Sequence, residues 1–133
     1  MRPPSPAQKK ALLSRARAVR ARAHAPYSKF QVGAAVLDDK GRVHAGTNVE
    51  NASYGLTVCA ERNAVAAAVA AGAKEIRAVA VITPTTPPGS PCGACRQVLA
   101  EFAPPETPVL MASPTGPAEE TTVGTLLPRS FRL

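Results

Sequence analysis

The chain has no tryptophan, and two tyrosines and three phenylalanines supply all of its aromatic side chains. Aromatics at 4% offer no series of stacking rings of the kind that single-stranded nucleic acid binds, and they make each ring that is present informative. Histidine is almost absent. His24 and His44 match no metal-ligand spacing and read as surface residues. Three cysteines, an odd count with one close pair, argue against a disulfide framework and fit a reducing compartment, so cytoplasm is the expected location. The longest uninterrupted apolar run, Ala64 to Ala71, falls far short of the roughly 20 residues that cross a bilayer. The N-terminus also lacks an apolar stretch leading to a small-residue cleavage site, so neither a membrane span nor a secretory signal is expected. Its Arg-rich, acid-free character resembles a transit peptide, but the segment reads better as a folded helix.

What is present suits one folded unit. A chain of 133 residues, 45% hydrophobic and 19% charged, predicts a single domain over 1–133 with one core and little disorder. The formal charge of +7 is uneven: residues 1–42 hold ten Lys or Arg against Asp38 and Asp39, a local +8, which leaves −1 for the rest. Such a half could serve nucleic acid or an acidic surface. Without interleaved aromatics it reads instead as a solvated helix face, and neither nucleic acid nor membrane is an expected partner.

Ser5, Pro6 and Gln8 form a helix-start signature of hydroxyl cap, proline at the first helical position and capping-box partner. The predicted helix runs from Pro6 to Ala23 with Leu12, Ala16, Val19 and Ala23 as its buried stripe, and Pro26 forbids its continuation. Two β-prone runs, Gln31 to Leu37 and Arg42 to Val49, flank a turn at 38–41 and predict a hairpin. Cys59 to Ala71 predicts a mostly buried helix ended by Gly72, and Ile76 to Thr83 a strand. Ser90 with Pro91 predicts the start of a helix to Phe102, Thr107 to Ala112 a strand, and Thr122 to Leu127 a short helix. Strands and helices in this order predict a three-layer α/β/α sandwich around a mixed sheet of about five strands.

The three cysteines, Cys59, Cys92 and Cys95, all fall in the first turn of a predicted helix. A helix N-terminus carries about half a positive charge, which favours the thiolate that binds metal. Cys92 and Cys95 are three apart and share a helix face, and Cys59 lies one helix and one strand earlier. Three protein ligands without a neighbouring histidine leave a tetrahedral zinc one open position, as in catalytic sites. Glu61, two residues after Cys59, can reach a water there. Each element alone has another reading: a thioredoxin-like redox pair for the CxxC, core thiols for the cysteines, dipole compensation for Glu61. The order Cys-Ala-Glu, about thirty residues, then Pro-Cys-Gly-Ala-Cys favours the metal.

These segments, CAERN at 59–63 and PCGACRQ at 91–97, resemble those of the cytidine deaminase family, in its small tetrameric branch with three cysteine ligands. The resemblance extends through PYSKFQVGAAV at 26–36, TNVENASY at 47–54, and the LLP that precedes Phe131. It implies one Zn2+ per subunit on Cys59, Cys92 and Cys95, with Glu61 relaying protons while zinc-activated water adds at C4 of the base. It further implies that Arg62, or secondarily Arg96, offsets the thiolate charge. Asn48 and Glu50, two apart on an extended segment, would grip the ribose of free cytidine or deoxycytidine. Phe30 would pack against the base, with the backbone of Ala60 and Ser90 at its edge and Ala52 and Tyr54 nearby. Phe131 would cover the pyrimidine of a neighbouring subunit in a homotetramer with shared active sites. Three alternatives stay open: a blasticidin-S-type deaminase, a nucleic-acid cytosine deaminase, and a nonenzymatic zinc module. The intact Asn48-Val49-Glu50 and Arg62 disfavour the first, cysteine rather than histidine at 59 the second, and the missing fourth ligand the third.

Overall fold

The computed structural model describes residues 2–133. Its first helix, α1 (Pro6–Arg20), begins with a full capping box, in which Ser5 Oγ accepts from the Gln8 amide and the Gln8 side chain accepts from the Ser5 amide. Leu12 and Ala16 are fully buried, whereas Val19 and Ala23 are only partly so. The helix stops three residues before Ala23 because the chain is already turning. The Arg22 and Ala23 amides reach back three residues to Val19 and Arg20, and His24 then forms a bridge with Val49, which demands extended backbone. Part of the basic face is also engaged: Lys9 pairs with Glu120 at 2.8 Å, and Arg17 donates to the Gly116 carbonyl at 2.7 Å.

The sheet has five strands, β1 (Gly33–Asp38), β2 (Val43–Thr47), β3 (Ile76–Ile82), β4 (Pro108–Ala112) and β5 (Glu119–Thr122), in the order β2-β1-β3-β4-β5. β3 and β4 run parallel and the other neighbours antiparallel. Side chains alternate between two cores, as the pleat requires. Ala35, Leu37, Ala78, Ala80 and Ile82 meet Leu12 and Ala16 of α1, while Val36, Val79, Val81 and Val109 face the opposite core. That second face is covered by α2 (Ala60–Ala70), α3 (Gly93–Phe102) and α4 (Val123–Leu126), completing the expected α/β/α sandwich. β5 lies where the sequence offers Glu-Glu-Thr-Thr, an exposed edge with no apolar alternation to announce it.

The hairpin turn contains a buried charge. Asp38 is fully buried; Oδ1 accepts from the Lys40 and Arg42 amides, both at 2.9 Å, and Oδ2 accepts from Arg42 Nε and meets His44 Nε2, both at 2.8 Å. His44 is therefore not the surface residue expected: its side chain is only 12% exposed. Burial pushes the Asp38 carboxyl up, but His44, the two amides and the Arg42 guanidinium together hold it well below the usual carboxylate range.

Two corrections concern the helices that carry cysteine. α3 starts at Gly93 with Cys92 as its cap, because the Ser90 hydroxyl accepts from Arg96 and does not cap an amide. α2 buries Ala60, Ala64, Val65 and Ala68, but Ala66, Ala67, Val69 and Ala70 are exposed, so this helix is half-buried rather than mostly buried. It lies directly on β2. A Cβ placed on Gly46 would come 2.4 Å from the Ala64 nitrogen and 2.7 Å from the Ala60 carbonyl oxygen, both main-chain atoms that cannot swing away. Gly46→Ala is expected to push α2 off the sheet and lower stability by about 1–3 kcal/mol in chemical denaturation, as overpacking typically does.

Candidate metal centre

Cys59 caps α2 and Cys92 caps α3, while Cys95 is buried in the first turn of α3. Neither capping cysteine uses its side chain on a helix amide, so both sulfurs are available to a metal. The three sulfurs lie within 4.8 Å of one another, and Cys59 Sγ and Cys92 Sγ are 3.7 Å apart. A tetrahedral zinc with bonds of about 2.3 Å to sulfur sets its ligands about 3.8 Å apart, the spacing of the Cys59–Cys92 pair, and the three sulfurs are close enough together to share one Zn2+. Sulfur-to-sulfur and sulfur-to-Arg62 hydrogen bonding draws the Cys59 thiol down to about 5, with Cys95 the largest contributor. The same bond and burial push the Cys95 thiol up, while the Arg62 guanidinium favours a thiolate at Cys59.

Two neighbours in α2 complete the electrostatics. Arg62 Nη2 lies 3.6 Å from Cys59 Sγ and 3.5 Å from the Thr57 carbonyl, and the thiolate raises its pKa further. Glu61 is 5% exposed. Burial, reinforced by the Cys59 charge, pushes its carboxyl up to about 7 against the pull of its own amide and of Arg62. Asn63, next along the same turn, donates to the Thr47 carbonyl at 2.8 Å and ties the start of α2 to the end of β2. Arg96 touches no cysteine sulfur, so among the two candidate arginines only Arg62 sits on the thiolates.

The residues expected to face a substrate fall into separate groups. Asn48 is nearly buried, its Oδ1 accepting from the Val32 amide at 2.9 Å and its Nδ2 donating to the Phe30 carbonyl at 2.7 Å. It thereby fixes the segment that carries Phe30, a partner that spacing alone did not disclose. Glu50 Oε1 accepts from the Tyr27 and Ser28 amides at 3.0 and 3.2 Å, and Oε2 from the Ser28 hydroxyl; this last bond leads the lowering of its pKa. Glu50, Tyr27, Ser28, Tyr54 and Thr57 line a cavity of about 300 Å3. Ser28 and Thr57 were not singled out from the sequence, although Ser28 lies within the PYSKF run. Tyr54 is 75% exposed and stacks at a tilt on Tyr27, with centroids 6.0 Å apart. Ala60 is buried beside the cysteines, and Ala52 and Ser90 are exposed. The ring of Phe131 is 72% exposed, although its carbonyl accepts from Gln97 Nε2 at 3.0 Å.

Three cysteine ligands would leave one zinc position for a water, and the buried carboxylate two residues from the first ligand can handle its protons, a set that fits a hydrolytic zinc centre rather than a structural clip. The family model described as the cytidine and deoxycytidylate deaminase zinc-binding region matches residues 6–111. Over 120 residues the chain is 48% identical to the cytidine deaminase of Sporosarcina psychrophila, covering 90% of this chain and 88% of that protein. The cytidine deaminase of Halalkalibacterium halodurans is 49% identical over the same length, with 90% and 91% covered. A crystal structure of cytidine deaminase from Burkholderia pseudomallei superposes with a TM-score of 0.87 at 48% identity, covering 92% of this chain and 98% of that one. The chain belongs to the cytidine and deoxycytidylate deaminase family. Alanine at Cys59, Cys92 or Cys95 is expected to reduce zinc from one per chain to near zero after dialysis against a chelator, as read by elemental analysis.

Proposed function

We propose that this protein hydrolyses the 4-amino group of free cytidine and deoxycytidine, consuming one water and releasing ammonia and the uracil nucleoside, as a pyrimidine-salvage enzyme of the cytoplasm. Residues 1–133 act as one deaminase domain. The observation that carries the reading is the Cys59, Cys92 and Cys95 group with the buried Glu61 beside it, within a family whose curated relatives are cytidine deaminases. When bound, zinc supplies a Lewis acid that makes water acidic enough to attack near neutral pH. Glu61 would take one proton from the attacking water and deliver it to ring N3, then take the second from the new C4 hydroxyl and deliver it to the leaving nitrogen, so that ammonia departs neutral. Arg62 offsets the charge of three thiolates and keeps the metal electrophilic.

Asn48 and Glu50 hold the sugar hydroxyls; Asn48 also clasps the Phe30–Val32 segment, Tyr54 lines the same cavity as Glu50, and Ala52 lies between those two in sequence. Phe30 packs on the base, whose edge is read by the backbone at Ala60 and Ser90. The exposed ring of Phe131 and the exposed Ala-Val face of α2 support a homotetramer in which Phe131 covers the pocket of a neighbouring chain. No helix among the described residues is long and apolar enough to cross a membrane.

Glu61→Ala is expected to keep one zinc per chain and to lose more than the roughly 10²–10⁴-fold typical of one general acid–base, because a single carboxylate serves several transfers. Cytidine-to-uridine absorbance with parallel metal analysis checks this, and substantial turnover by the zinc-loaded variant sinks the assignment. Glu50→Ala is expected to weaken binding of cytidine roughly ten- to a hundred-fold while leaving capture of a sugar-free base analogue nearly unchanged. Equal losses for both ligands would mark Glu50 as structural. Light scattering at assay concentration is expected to report a tetramer, and a fully active 13.7 kDa monomer contradicts the shared site.

A further inference from the structure

Arg96 follows Cys95 in the first turns of α3, yet its guanidinium is directed away from the sulfurs. Nε donates to the Pro91 carbonyl at 2.7 Å, Nη2 to Ser90 Oγ at 2.9 Å, and Nη1 to the Leu126 carbonyl at 2.8 Å. Pro91 is fully buried and immediately precedes the metal ligand Cys92. Leu126 ends α4, and the arm that leads to Phe131 begins there. Three bonds in three directions suit the rigid fork of arginine, which the point charge of lysine cannot reproduce. The arm has two further ties to α3 and its end, from Gln97 to the Phe131 carbonyl and from Arg132 to the Ala103 carbonyl.

We propose that Arg96 is a positioning residue that couples the zinc-ligand loop to the C-terminal arm. Through Pro91 it fixes the backbone from which Cys92 projects, and through Leu126 it fixes the origin of the segment that carries Phe131. One side chain thus sets the rigidity of the metal centre in its own subunit and the placement of the ring offered to another. The affinity half of this coupling rests on the reading of Phe131 as a cover; the metal half does not.

The test uses the full-length, zinc-loaded enzyme and the Arg96→Lys variant. Release of zinc to a chromogenic chelator is expected to accelerate on the order of tenfold, as is tryptic cleavage of the Arg129–Ser130 bond followed by mass spectrometry. The Michaelis constant is expected to rise on the order of tenfold, with a smaller change in kcat. Deleting the residues after Pro128 separates the two readings. If deletion alone leaves the Michaelis constant unchanged, the cover reading fails, and the coupling is then judged on zinc release and cleavage. If deletion raises it, Arg96→Lys added to the deletion should raise it no further, because both act through the same arm. Parent-like zinc release and parent-like cleavage in Arg96→Lys overturn the proposal. Should that variant fail to fold, Ser90→Ala removes one bond at an exposed position; it is expected to speed zinc release severalfold with tail cleavage unchanged, and parent-like release overturns the proposal.

Discussion

A separation of 3.7 Å between the Cys59 and Cys92 sulfurs requires two helices, distant in sequence, to begin at one point in space. Everything else in the molecule can be understood as the means to that end. β1 and β3 lie side by side at the centre of the sheet; α2 arrives over β2 and α3 leaves from the end of β3, so the two helix starts meet at one end of the sheet. Both positive helix ends then face a cluster of thiolates, and Arg62 adds a full charge where the two half-charges fall short. The near-contact of Gly46 with the α2 backbone and the Asn63 bond to Thr47 set the height and rotation of the first of these helices.

The metal ligands were legible because their signal is local: two cysteines three apart, a third with Glu61 two residues on, each in a helix-start context. The capping box of α1 was legible for the same reason. The sandwich and its three inner strands followed from runs of Ala, Val and Ile whose alternation the sheet reproduces. What escaped depends on partners far along the chain. Asn48 as a clasp on Phe30 and Val32, Ser28 beneath Glu50, and Arg96 across to Leu126 are contacts over 16, 22 and 30 residues, with no period to betray them. β5 escaped because an edge strand owes its place to hydrogen bonds with β4, not to a buried face.

α2 shows a different limit. A run of Ala and Val announces that a surface will be covered but not whether by the same chain. The structure divides this helix into a face against the sheet and a face left open. Small side chains on the open face allow a close backbone approach and would also suit a merely tolerant surface. Hydropathy weighs both faces equally, and only coordinates separate them.

Asp38 and the cysteine cluster sit at opposite ends of the same strand pair, one at the hairpin turn and the other beyond the far end of β2. Both depend on an anion remaining an anion. An Asp38 held below the ordinary carboxylate value of 3.8 gives its full stabilisation above that pH and loses it as the medium becomes more acidic. Protons compete with a metal for the cysteine sulfurs, so acid also works against the cluster. Acidification therefore works on this molecule from two poles, the sulfur cluster and the hairpin turn.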